Sequence, residues 1–475
     1  MTHGMRTLLT SAGLIAATLC APASAQAVAD PAAGEAQFRA VYRELVETNT
    51  TLSVGSCTLA AERMAARLRS TGYPDADLHM IVEPDHPREG NLVAVLPGSD
   101  ASIAPMLLLA HIDVVEANRA DWERDPFTLV EEDGYFYARG SADDKAQAAV
   151  WVDVMMRMRQ EGFRPRRTIK MALTCGEETA GAFNGAEYLA AHHRDLIDAE
   201  FALNEGAGGL MRDDGTRVML NIQAGEKFPQ NYRIEVTNPG GHSSAPVRDN
   251  AITRIAGALE RIGAHDFAYE TNEATRGYFA AMAQLTPGAV GQAMAIFAAN
   301  PADTAAADIV AAANSRWNGT MRTTCVATMI EGGHATNALP QRVRANINCR
   351  IFPGTSVETI RQALVGIIND PQVSVTTLET RSAASAPPPL TDAIMDPARS
   401  AAQQIFPGVP LVPLMAAGGT DGAFLTPAGI PTYGFTGFFG TAEGSRAHGL
   451  NERMHVRSLM DGRRMMYVLI RDFAD

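Results

Sequence analysis

Apolar residues recur at helical and strand spacings through the first half of the chain. Their spacing in residues 35–70 predicts a helix, and short apolar runs bounded by turn residues predict strands. The predicted strands are Asn91–Leu96, Met106–Ala110, Thr168–Thr174 and Glu200–Leu203, and the predicted helices include Ala146–Gln160 and one around Glu187–His193. Strands that alternate with helices predict an α/β fold whose sheet is covered on both faces.

The pattern changes near Phe228. The next predicted elements are the strand Tyr232–Thr237, the helix Asn250–Ile262, the strands Thr324–Glu331 and Arg342–Phe352, the helix Val357–Ile368 and the strand Val373–Leu378. This βαββαβ order predicts a ferredoxin-like α+β domain. Within it, residues 267–320 are rich in alanine and predict an insertion of about three helices, broken at Pro287-Gly288 and Pro301.

These elements predict a discontinuous first domain over residues 26–227 and 383–475, interrupted by a second domain over residues 228–382. The stretch Ala383–Pro389 is the expected returning linker. Residues 1–25 have the pattern of a cleavable signal peptide, with an apolar stretch from Leu8 to Leu19 that is too short to span a membrane. A signal peptide predicts a periplasmic or secreted protein, and its removal leaves about 450 residues, enough for two or three domains.

Charge excludes one class of partner. The formal net charge is −13 and the sequence contains no basic patch, so we expect no nucleic-acid partner. No segment after the signal peptide is apolar enough to predict a membrane span.

Five short stretches carry residues that bind metal ions in proteins. They are His111-Ile112-Asp113, Ser141-Ala142-Asp143-Asp144-Lys145, Cys175-Gly176-Glu177-Glu178-Thr179, Asn204-Glu205-Gly206 and Ala447-His448-Gly449. Three of them follow predicted strands, and loops at strand ends bring ligands to one point. Two imidazoles with several carboxylates suit zinc and are tolerable for cobalt or manganese.

Each stretch alone has a simpler interpretation. An acidic pair before a helix, such as Asp143-Asp144, also fits a helix cap, and Glu177-Glu178 also fits a solvated face. Glu205 also fits a turn and His448 an exposed surface. The fixed order of all five stretches favours a metal site.

In these five stretches and their order, the chain resembles the M20 metallopeptidases, a family of co-catalytic zinc carboxypeptidases, aminoacylases and deacylases. The resemblance runs from about residue 35 to the C-terminus. It also rests on Asp125-Pro126-Phe127, Gly240-Gly241-His242-Ser243-Ser244, Asn337-Ala338-Leu339-Pro340, Arg350 and Gly418-Gly419-Thr420-Asp421. It implies a di-zinc catalytic domain with a mixed β-sheet between helices, and a ferredoxin-like lid or dimerisation domain inserted into it.

The resemblance implies two Zn²⁺ per subunit, with Co²⁺ or Mn²⁺ as possible substitutes. The implied ligands are His111 and Glu205 on one ion, Glu178 and His448 on the other, and Asp143 bridging both. Asp113 would orient His111, and Glu177 would be the general base.

From the second domain, the resemblance implies that His242 stabilises the oxyanion, from the partner subunit in dimeric members. Asn337 and Arg350 would contact substrate. Arg350 would recognise a free carboxylate, although an internal salt bridge is an alternative. Gly419 lies in a loop that would approach the substrate backbone.

These assignments predict a hydrolase that cleaves the amide bond of a peptide or an N-acyl amino acid. The helical insertion could extend a homodimer interface or take the place of a partner and leave a monomer, so both states stay open. A narrow deacylase, acetylornithine-like or succinyl-diaminopimelate-like, is an alternative. The signal peptide argues against it, since those pathways are cytoplasmic. A non-catalytic metal-dependent binding protein is a second alternative, and Glu177 argues against it because binding needs no base.

One backbone feature and two cysteine features are also expected. The resemblance implies a cis peptide bond between Asp143 and Asp144. The predicted hairpin centred near Asn337 places Cys325 and Cys349 on adjacent strands, close enough for a disulfide in an oxidising compartment. Cys175 is expected to be a small buried residue rather than a nucleophile.

Overall fold

A computed structural model describes residues 1–2, 33–179, 181–379 and 385–475. All but the first two residues of the expected signal peptide, and residues 383–384 of the expected linker, lie outside the described residues. Among the helices of the described residues, none has the length and apolarity that a membrane crossing requires.

The elements divide into three consecutive segments. The first contains α1 (Glu35–Glu47), α2 (Cys57–Ser70), β1 (Leu78–Ile81), β2 (Asn91–Leu96), β3 (Met106–His111), β4 (Val130–Glu132), β5 (Tyr135–Tyr137), α3 (Lys145–Gln160), β6 (Ile169–Thr174), α4 (Gly185–His192), α5 (Arg194–Ile197), β7 (Phe201–Asn204), β8 (Gly209–Met211) and β9 (Arg217–Glu226). The second contains β10 (Phe228–Thr237), β11 (Gly241–His242), α6 (Ala251–Gly263), α7 (Glu273–Leu285), α8 (Gly288–Ala299), α9 (Thr304–Ala313), α10 (Ser315–Thr320), β12 (Thr324–Gly332), β13 (Ala338–Leu339), β14 (Arg342–Ile351), α11 (Val357–Ile368) and β15 (Ser374–Thr377). The third contains α12 (Asp392–Ile405), β16 (Leu411–Ala416), α13 (Gly422–Leu425), β17 (Thr432–Gly434), β18 (Phe439–Gly440), β19 (Arg453–His455) and α14 (Val456–Ala474).

The first and third segments share a mixed sheet, as expected. Its strand order is β1-β2-β6-β3-β7-β17-β9-β8-β18, with β16 also paired to β9. Strands β6, β3 and β7 are parallel neighbours, whereas β2 and β6 are antiparallel. Along β3, Leu107 and Leu109 face a core with α4, α5 and α13, and Leu108 faces a core with α1, α2, α3, α12 and α14. Helices therefore cover both faces, which is why these strands are almost wholly apolar.

One helix expected over residues 35–70 is two helices in the structure. The Asn49 side chain accepts hydrogen bonds from the backbone N–H and the hydroxyl of Thr51, both at 2.9 Å, and this turn competes with the helical backbone pattern. The chain re-enters a helix at Cys57, where the Ser56 side chain caps α2 by accepting the Leu59 N–H. The apolar spacing on either side was correct, and the side-chain turn between the helices was missed.

The second segment confirms the ferredoxin-like domain. Its sheet has the order β12-β14-β10-β15, with neighbouring strands antiparallel, and α6 and α11 contribute to its core. Cys325 and Cys349 lie directly opposite each other on β12 and β14, and they form a disulfide with a Cα–Cα distance of 4.0 Å. The expected adjacency is confirmed, and the disulfide that the sequence left open is present.

The helical insertion has its own small core around Phe279, Met294 and Phe297. The described residues place four helices there, α7 to α10, rather than about three, because the short α10 follows α9 after the single cap residue Asn314. The expected breaks at Pro287-Gly288 and Pro301 are confirmed. Helix α7 packs on β16 and β9, so the insertion rests on the large sheet.

Candidate active site

Three parallel strands end at the same edge of the large sheet and carry most of the candidate ligands there. His111 is the last residue of β3, Glu177 and Glu178 follow the end of β6, and Glu205 follows β7 directly. The register pairs His111 with Thr174 across β3 and β6. Carboxyl ends of neighbouring parallel strands meet at one edge, which explains how residues far apart in sequence converge.

The candidate ligands form two clusters that share Asp143. In the first, His111 Nε2 lies 3.2 Å from Asp143 Oδ1 and 3.7 Å from Glu205 Oε1. In the second, His448 Nε2 lies 3.3 Å from Asp143 Oδ2 and 2.7 Å from Glu178 Oε2. Within each cluster, the ligand atoms lie within 4.8 Å of one another. The two oxygens of Asp143 thus face different imidazoles, as a carboxylate between two cations would.

Asp113 lies outside the two ligand clusters and forms hydrogen bonds that hold residues of the site in place. His111 Nδ1 donates to the backbone carbonyl of Asp113 at 3.1 Å, which leaves Nε2 for the cluster. The Asp113 carboxylate accepts the backbone N–H groups of Glu177 at 3.3 Å and Glu178 at 3.0 Å. Asp113 therefore positions a ligand histidine through its backbone carbonyl and both glutamates through its buried carboxylate.

The loop that carries Glu177 is fixed by two further features. Gly176 has a φ of +97°, and a Cβ there would lie 1.9 Å from the carbonyl oxygen of Phe183, so only glycine fits. Cys175 forms a disulfide with Cys57, at a Cα–Cα distance of 6.0 Å. Cys175 is buried, as expected. Its pairing with Cys57 was not expected, because 118 residues separate the two cysteines and no spacing rule connects them.

Glu452 holds the loop that carries Asp143, and sequence reasoning missed it. Its carboxylate accepts the backbone N–H groups of Gly140, Ala142 and Asp143 at 2.8–3.0 Å and pairs with Arg139 at 2.7 Å. Arg139 also donates to the carbonyl of Gly449, next to His448. This fully buried pair ties the Asp143 loop to the His448 loop. The peptide bond between Asp143 and Asp144 is cis, as expected.

Asp421 is a second residue to which the sequence assigned no role. It is buried, and its carboxylate accepts the Thr174 hydroxyl at 2.9 Å and the Asn184 amide at 2.7 Å. Its place in the Gly418-Gly419-Thr420-Asp421 motif was the available signal. It links the end of β6 to the loop after β16.

Burial and mutual repulsion shift the pKa values of the clustered acids. Burial, together with the charges of Asp421, Glu178 and Asp113, raises the pKa of Glu177 to about 8. Burial and the charge of Asp143 raise the pKa of Glu178 to about 7. For His111, burial favours the neutral ring, but the charge of Glu205 and hydrogen bonds to Asp113 and Asp143 outweigh it and hold its pKa well above the ordinary value. Crowded carboxylates of this kind favour bound cations.

The donor set fits divalent metal ions. Each cluster offers one imidazole nitrogen and carboxylate oxygens, and the buried Asp144 Oδ2 has no hydrogen-bond partner among the described residues. Zinc accepts this mixture of nitrogen and oxygen ligands, as do cobalt and manganese. Glu205 is held in place partly by Gly206, whose φ is +124° and whose Cβ would meet the Gln223 side chain at 2.6 Å.

The candidate residues of the second domain belong to neither ligand cluster and form two groups. His242 and Asn337 are neighbours at the exposed β11–β13 ladder, where the Ser243 N–H donates to the Asn337 carbonyl. Arg350 lies on β14 opposite Pro229, and Pro229 is also the nearest side chain to Gly419. Within the described residues, no ion pair involves the Arg350 guanidinium, so the internal salt bridge considered for it does not form there.

A model of the peptidase family M20/M25/M40 matches residues 107–472 of the chain. The chain belongs to this family. The M20 resemblance is thereby confirmed, and with it a hydrolase that acts on amide bonds and uses metal ions.

Relatives and solved structures agree with the family. The chain is 27% identical to the human N-fatty-acyl-amino acid synthase/hydrolase over 403 residues, covering 83% of this chain and 78% of the relative. It is 26% identical to mouse aminoacylase-1 over 372 residues, covering 77% and 79%. Its fold matches an M20 family metallo-carboxypeptidase from Sulfolobus solfataricus with a TM-score of 0.68 at 16% identity, covering 92% of this chain and 99% of the other.

Proposed function

We propose that this M20 chain is a di-zinc hydrolase that cleaves the amide bond of a peptide or N-acyl amino acid next to a free carboxylate. The observation that carries the proposal is Asp143, whose two oxygens face two separate ligand clusters beside Glu177. The relatives that act on N-acyl amino acids, and the carboxypeptidase of the same fold, support this substrate class.

His111, Asp143 and Glu205 would hold one ion, and Asp143, Glu178 and His448 the other. Bound cations supply two things here, a lowered pKa for water and a polarised scissile carbonyl. Glu177 takes the proton from the attacking water and returns it to the leaving nitrogen. In the chain without bound cations, burial raises the pKa of Glu177 above the ordinary value, and a higher pKa favours proton acceptance.

Arg350 is proposed to bind the substrate carboxylate. A guanidinium without an ion pair suits a planar carboxylate with two parallel hydrogen bonds. Gly419 would contact the substrate beside it, and Asn337, which neighbours His242, would contact the substrate from the side of His242. In this arrangement the substrate lies between the two domains, and the second domain closes over it.

Two alternative functions differ from this proposal in the substrates that they would turn over. A narrow acetylornithine- or succinyl-diaminopimelate-type deacylase would turn over one acyl group only. A binding protein would not turn over at all. The signal-peptide pattern in residues 1–25 supports a periplasmic or secreted site of action, away from those cytoplasmic pathways.

A substrate panel tests the proposal. We expect hydrolysis of several dipeptides and N-acyl amino acids, and a fall of at least tenfold in kcat/KM when the terminal carboxylate is replaced by a carboxamide. Arg350→Ala should lose about 10- to 100-fold on the free acids, because a charged hydrogen bond contributes about 1.5–3 kcal/mol. Arg344→Ala is the matched control, since Arg344 lies on the same strand and pairs with Glu235 and Glu331. Equal turnover of acids and carboxamides would contradict the role of Arg350.

A homodimer is proposed because His242 is exposed and belongs to neither ligand cluster, and because an apolar strand edge is exposed. Strand β12 is the edge of its sheet, and Val326, Met329 and Ile330 on it are 59–71% exposed. An exposed apolar edge strand is a pairing surface. A partner subunit seated there would bring its His242 toward the clusters as the oxyanion donor.

Mixing two inactive variants tests this arrangement. His242→Ala and Glu177→Ala should each be inactive alone, and the mixture should recover about a quarter of wild-type activity, because half the dimers are hybrids with one intact site. Light scattering and a subunit-exchange label confirm that hybrids form. If exchange occurs without recovered activity, His242 does not act across the dimer.

A further inference from the structure

A cavity of about 40 Å³ borders the candidate ligand Glu205. Its wall includes Asn204 at the end of β7, Glu226 at the end of β9 and Thr420 shortly before α13. A cavity needs at least about 10–15 Å³ to hold one water molecule. This cavity therefore has room for the tip of one side chain but not for a whole ligand.

Two buried oxygens on this wall have no hydrogen-bond partner within the part of the chain that the structure describes. They are Oδ1 of Asn204, a residue that is 1% exposed, and Oε1 of Glu226. The other Glu226 oxygen accepts the Thr420 hydroxyl at 2.9 Å and the Gln223 amide nitrogen at 3.2 Å. An unpaired buried acceptor costs free energy, so the two oxygens favour a ligand that donates hydrogen bonds.

The hydrogen-bond network fixes the orientation of the Asn204 amide. The Thr420 hydroxyl donates its single hydrogen to Glu226, so its oxygen can only accept from Asn204. Asn204 therefore presents its nitrogen to Thr420, at 3.1 Å, and its oxygen is the atom left without a partner. The cavity thus offers one amide oxygen and one carboxylate oxygen, and both are acceptors.

Among the described residues, Glu226 has no cationic partner. Lys227 is the one lysine or arginine of the described residues that borders the cavity, and its ammonium is engaged elsewhere. It donates to the carbonyls of Gly319 and Arg322 at 2.7 and 2.8 Å and to the Thr324 hydroxyl at 3.0 Å, which uses all three N–H groups. Burial raises the pKa of Glu226 to about 7, and a cation beside it would favour the charged carboxylate.

The cavity adjoins both the ligand clusters and the proposed carboxylate site. Glu205 borders it, and so does Pro353, three residues after Arg350. Burial and the charge of Arg350 lower the pKa of Lys227 to about 7, so the Arg350 guanidinium lies close enough for the two charges to repel. In the proposed function, one residue of the substrate supplies both the carboxylate and the leaving nitrogen. The side chain of that residue is therefore the part that reaches this cavity.

We propose that Glu226 and Asn204 form a subsite for a primary ammonium at the end of the substrate side chain, so that substrates ending in lysine are preferred. This inference rests on the proposed function for the bond that is cleaved, and it adds the side-chain specificity. Two N–H groups of the ammonium donate to Glu226 Oε1 and Asn204 Oδ1, and Arg350 holds the carboxylate of the same residue. Larger cations, such as a guanidinium, fit the small volume less well.

The first test compares side chains of equal length. The rate constant kcat/KM of the zinc-loaded enzyme is measured on Nα-acetyl-L-lysine, Nα-acetyl-L-norleucine and Nα-acetyl-L-arginine. Norleucine has the hydrocarbon chain of lysine without the ammonium. We expect the lysine substrate to exceed the norleucine substrate by about 10- to 100-fold, the range of a hydrogen bond to a charged group, and to exceed the arginine substrate as well.

Glu226→Gln removes the negative charge and keeps the shape of the side chain. It should lower the ratio of kcat/KM for lysine over norleucine by at least about tenfold. The ratio is the informative quantity, because a purely structural loss would lower both rate constants alike. Glu273→Gln is the matched control, since Glu273 is exposed, does not border the cavity and loses the same charge. That variant should keep the wild-type ratio.

Binding without turnover is measured in the zinc-loaded Glu177→Gln variant. By calorimetry, the Kd of Nα-acetyl-L-lysine should be at least about tenfold lower than that of Nα-acetyl-L-norleucine. Adding Glu226→Gln to the same variant should abolish the difference. This measurement tests the subsite whether or not the wild-type enzyme cleaves these compounds.

The outcomes separate the subsite from the proposed function. Hydrolysis with a lysine-to-norleucine ratio near one overturns the subsite and leaves the proposed function standing. A lysine preference that survives Glu226→Gln also overturns the subsite, because another group then binds the ammonium. Absence of hydrolysis, with tighter lysine binding that Glu226→Gln abolishes, overturns the proposed function and supports the subsite. Absence of hydrolysis and of any binding difference overturns both. The wild-type ratio decides even if Glu226→Gln does not fold.

Discussion

We expect Glu177→Gln to lower kcat by at least about a hundredfold and to leave the metal content unchanged. A positioned acid-base group contributes about 10²–10⁴-fold, and the amide keeps the shape of the side chain but cannot take a proton. Glu177 belongs to neither of the two ligand clusters, and its backbone N–H is held by Asp113. Metal content by atomic emission and kcat on one N-acyl amino acid are measured on the same preparation.

Glu178→Gln is the matched comparison, since Glu178 is the next residue and lies 2.7 Å from His448. That change removes a candidate ligand, so it should lower metal content along with activity. The opposite pattern, with metal lost from Glu177→Gln and kept in Glu178→Gln, would mean that the two glutamates have exchanged roles.

We expect Glu452→Ala to lower the free energy of unfolding by about 3–5 kcal/mol, the usual cost of removing one partner from a buried ion pair. Burial raises the pKa of Glu452, so its charge is itself costly, and the pair contributes little net stability. The large loss of stability would arise because removal of Glu452 leaves its hydrogen-bond donors buried and unpaired. The Arg139 guanidinium and three backbone N–H groups would be buried without their acceptor.

Denaturant unfolding of the metal-free protein measures this effect apart from metal binding. Glu443→Ala is the control, because Glu443 is an exposed acid that also pairs with arginines, and its removal should change stability little. Glu452→Ala should also weaken metal binding, since the Asp143 N–H is among the groups released. A Glu452→Ala protein as stable as Glu443→Ala would contradict the account of this loop.

The sequence predicted the elements whose apolar residues recur at a regular spacing. The apolar runs of β3, β6 and β7 identified three strands, and the residues after them identified the candidate ligands, because strand ends and loops follow directly from local pattern. The βαββαβ order likewise predicted the second domain, including the opposition of Cys325 and Cys349.

Contacts between distant segments were not predictable in the same way. The bond between Cys57 and Cys175 and the contact of Glu452 with the Asp143 loop join residues with no periodic relation, so only the folded chain brings them together. The packing of α7 on the large sheet was missed for the same reason. Its amphipathic pattern shows that a face is buried but does not name the surface that buries it.

The central claim is that two metal ions held by these clusters are required for amide hydrolysis. Chelator-treated protein is titrated with Zn²⁺ at pH 6.5 and pH 8, and bound ions and hydrolysis of an N-acyl amino acid are followed together. We expect two ions per chain, recovery of activity as they bind, and tighter binding at pH 8, because Glu178 with a pKa of about 7 must lose its proton to bind a cation. Full hydrolysis by the chelated protein, with no ion bound, would contradict the account.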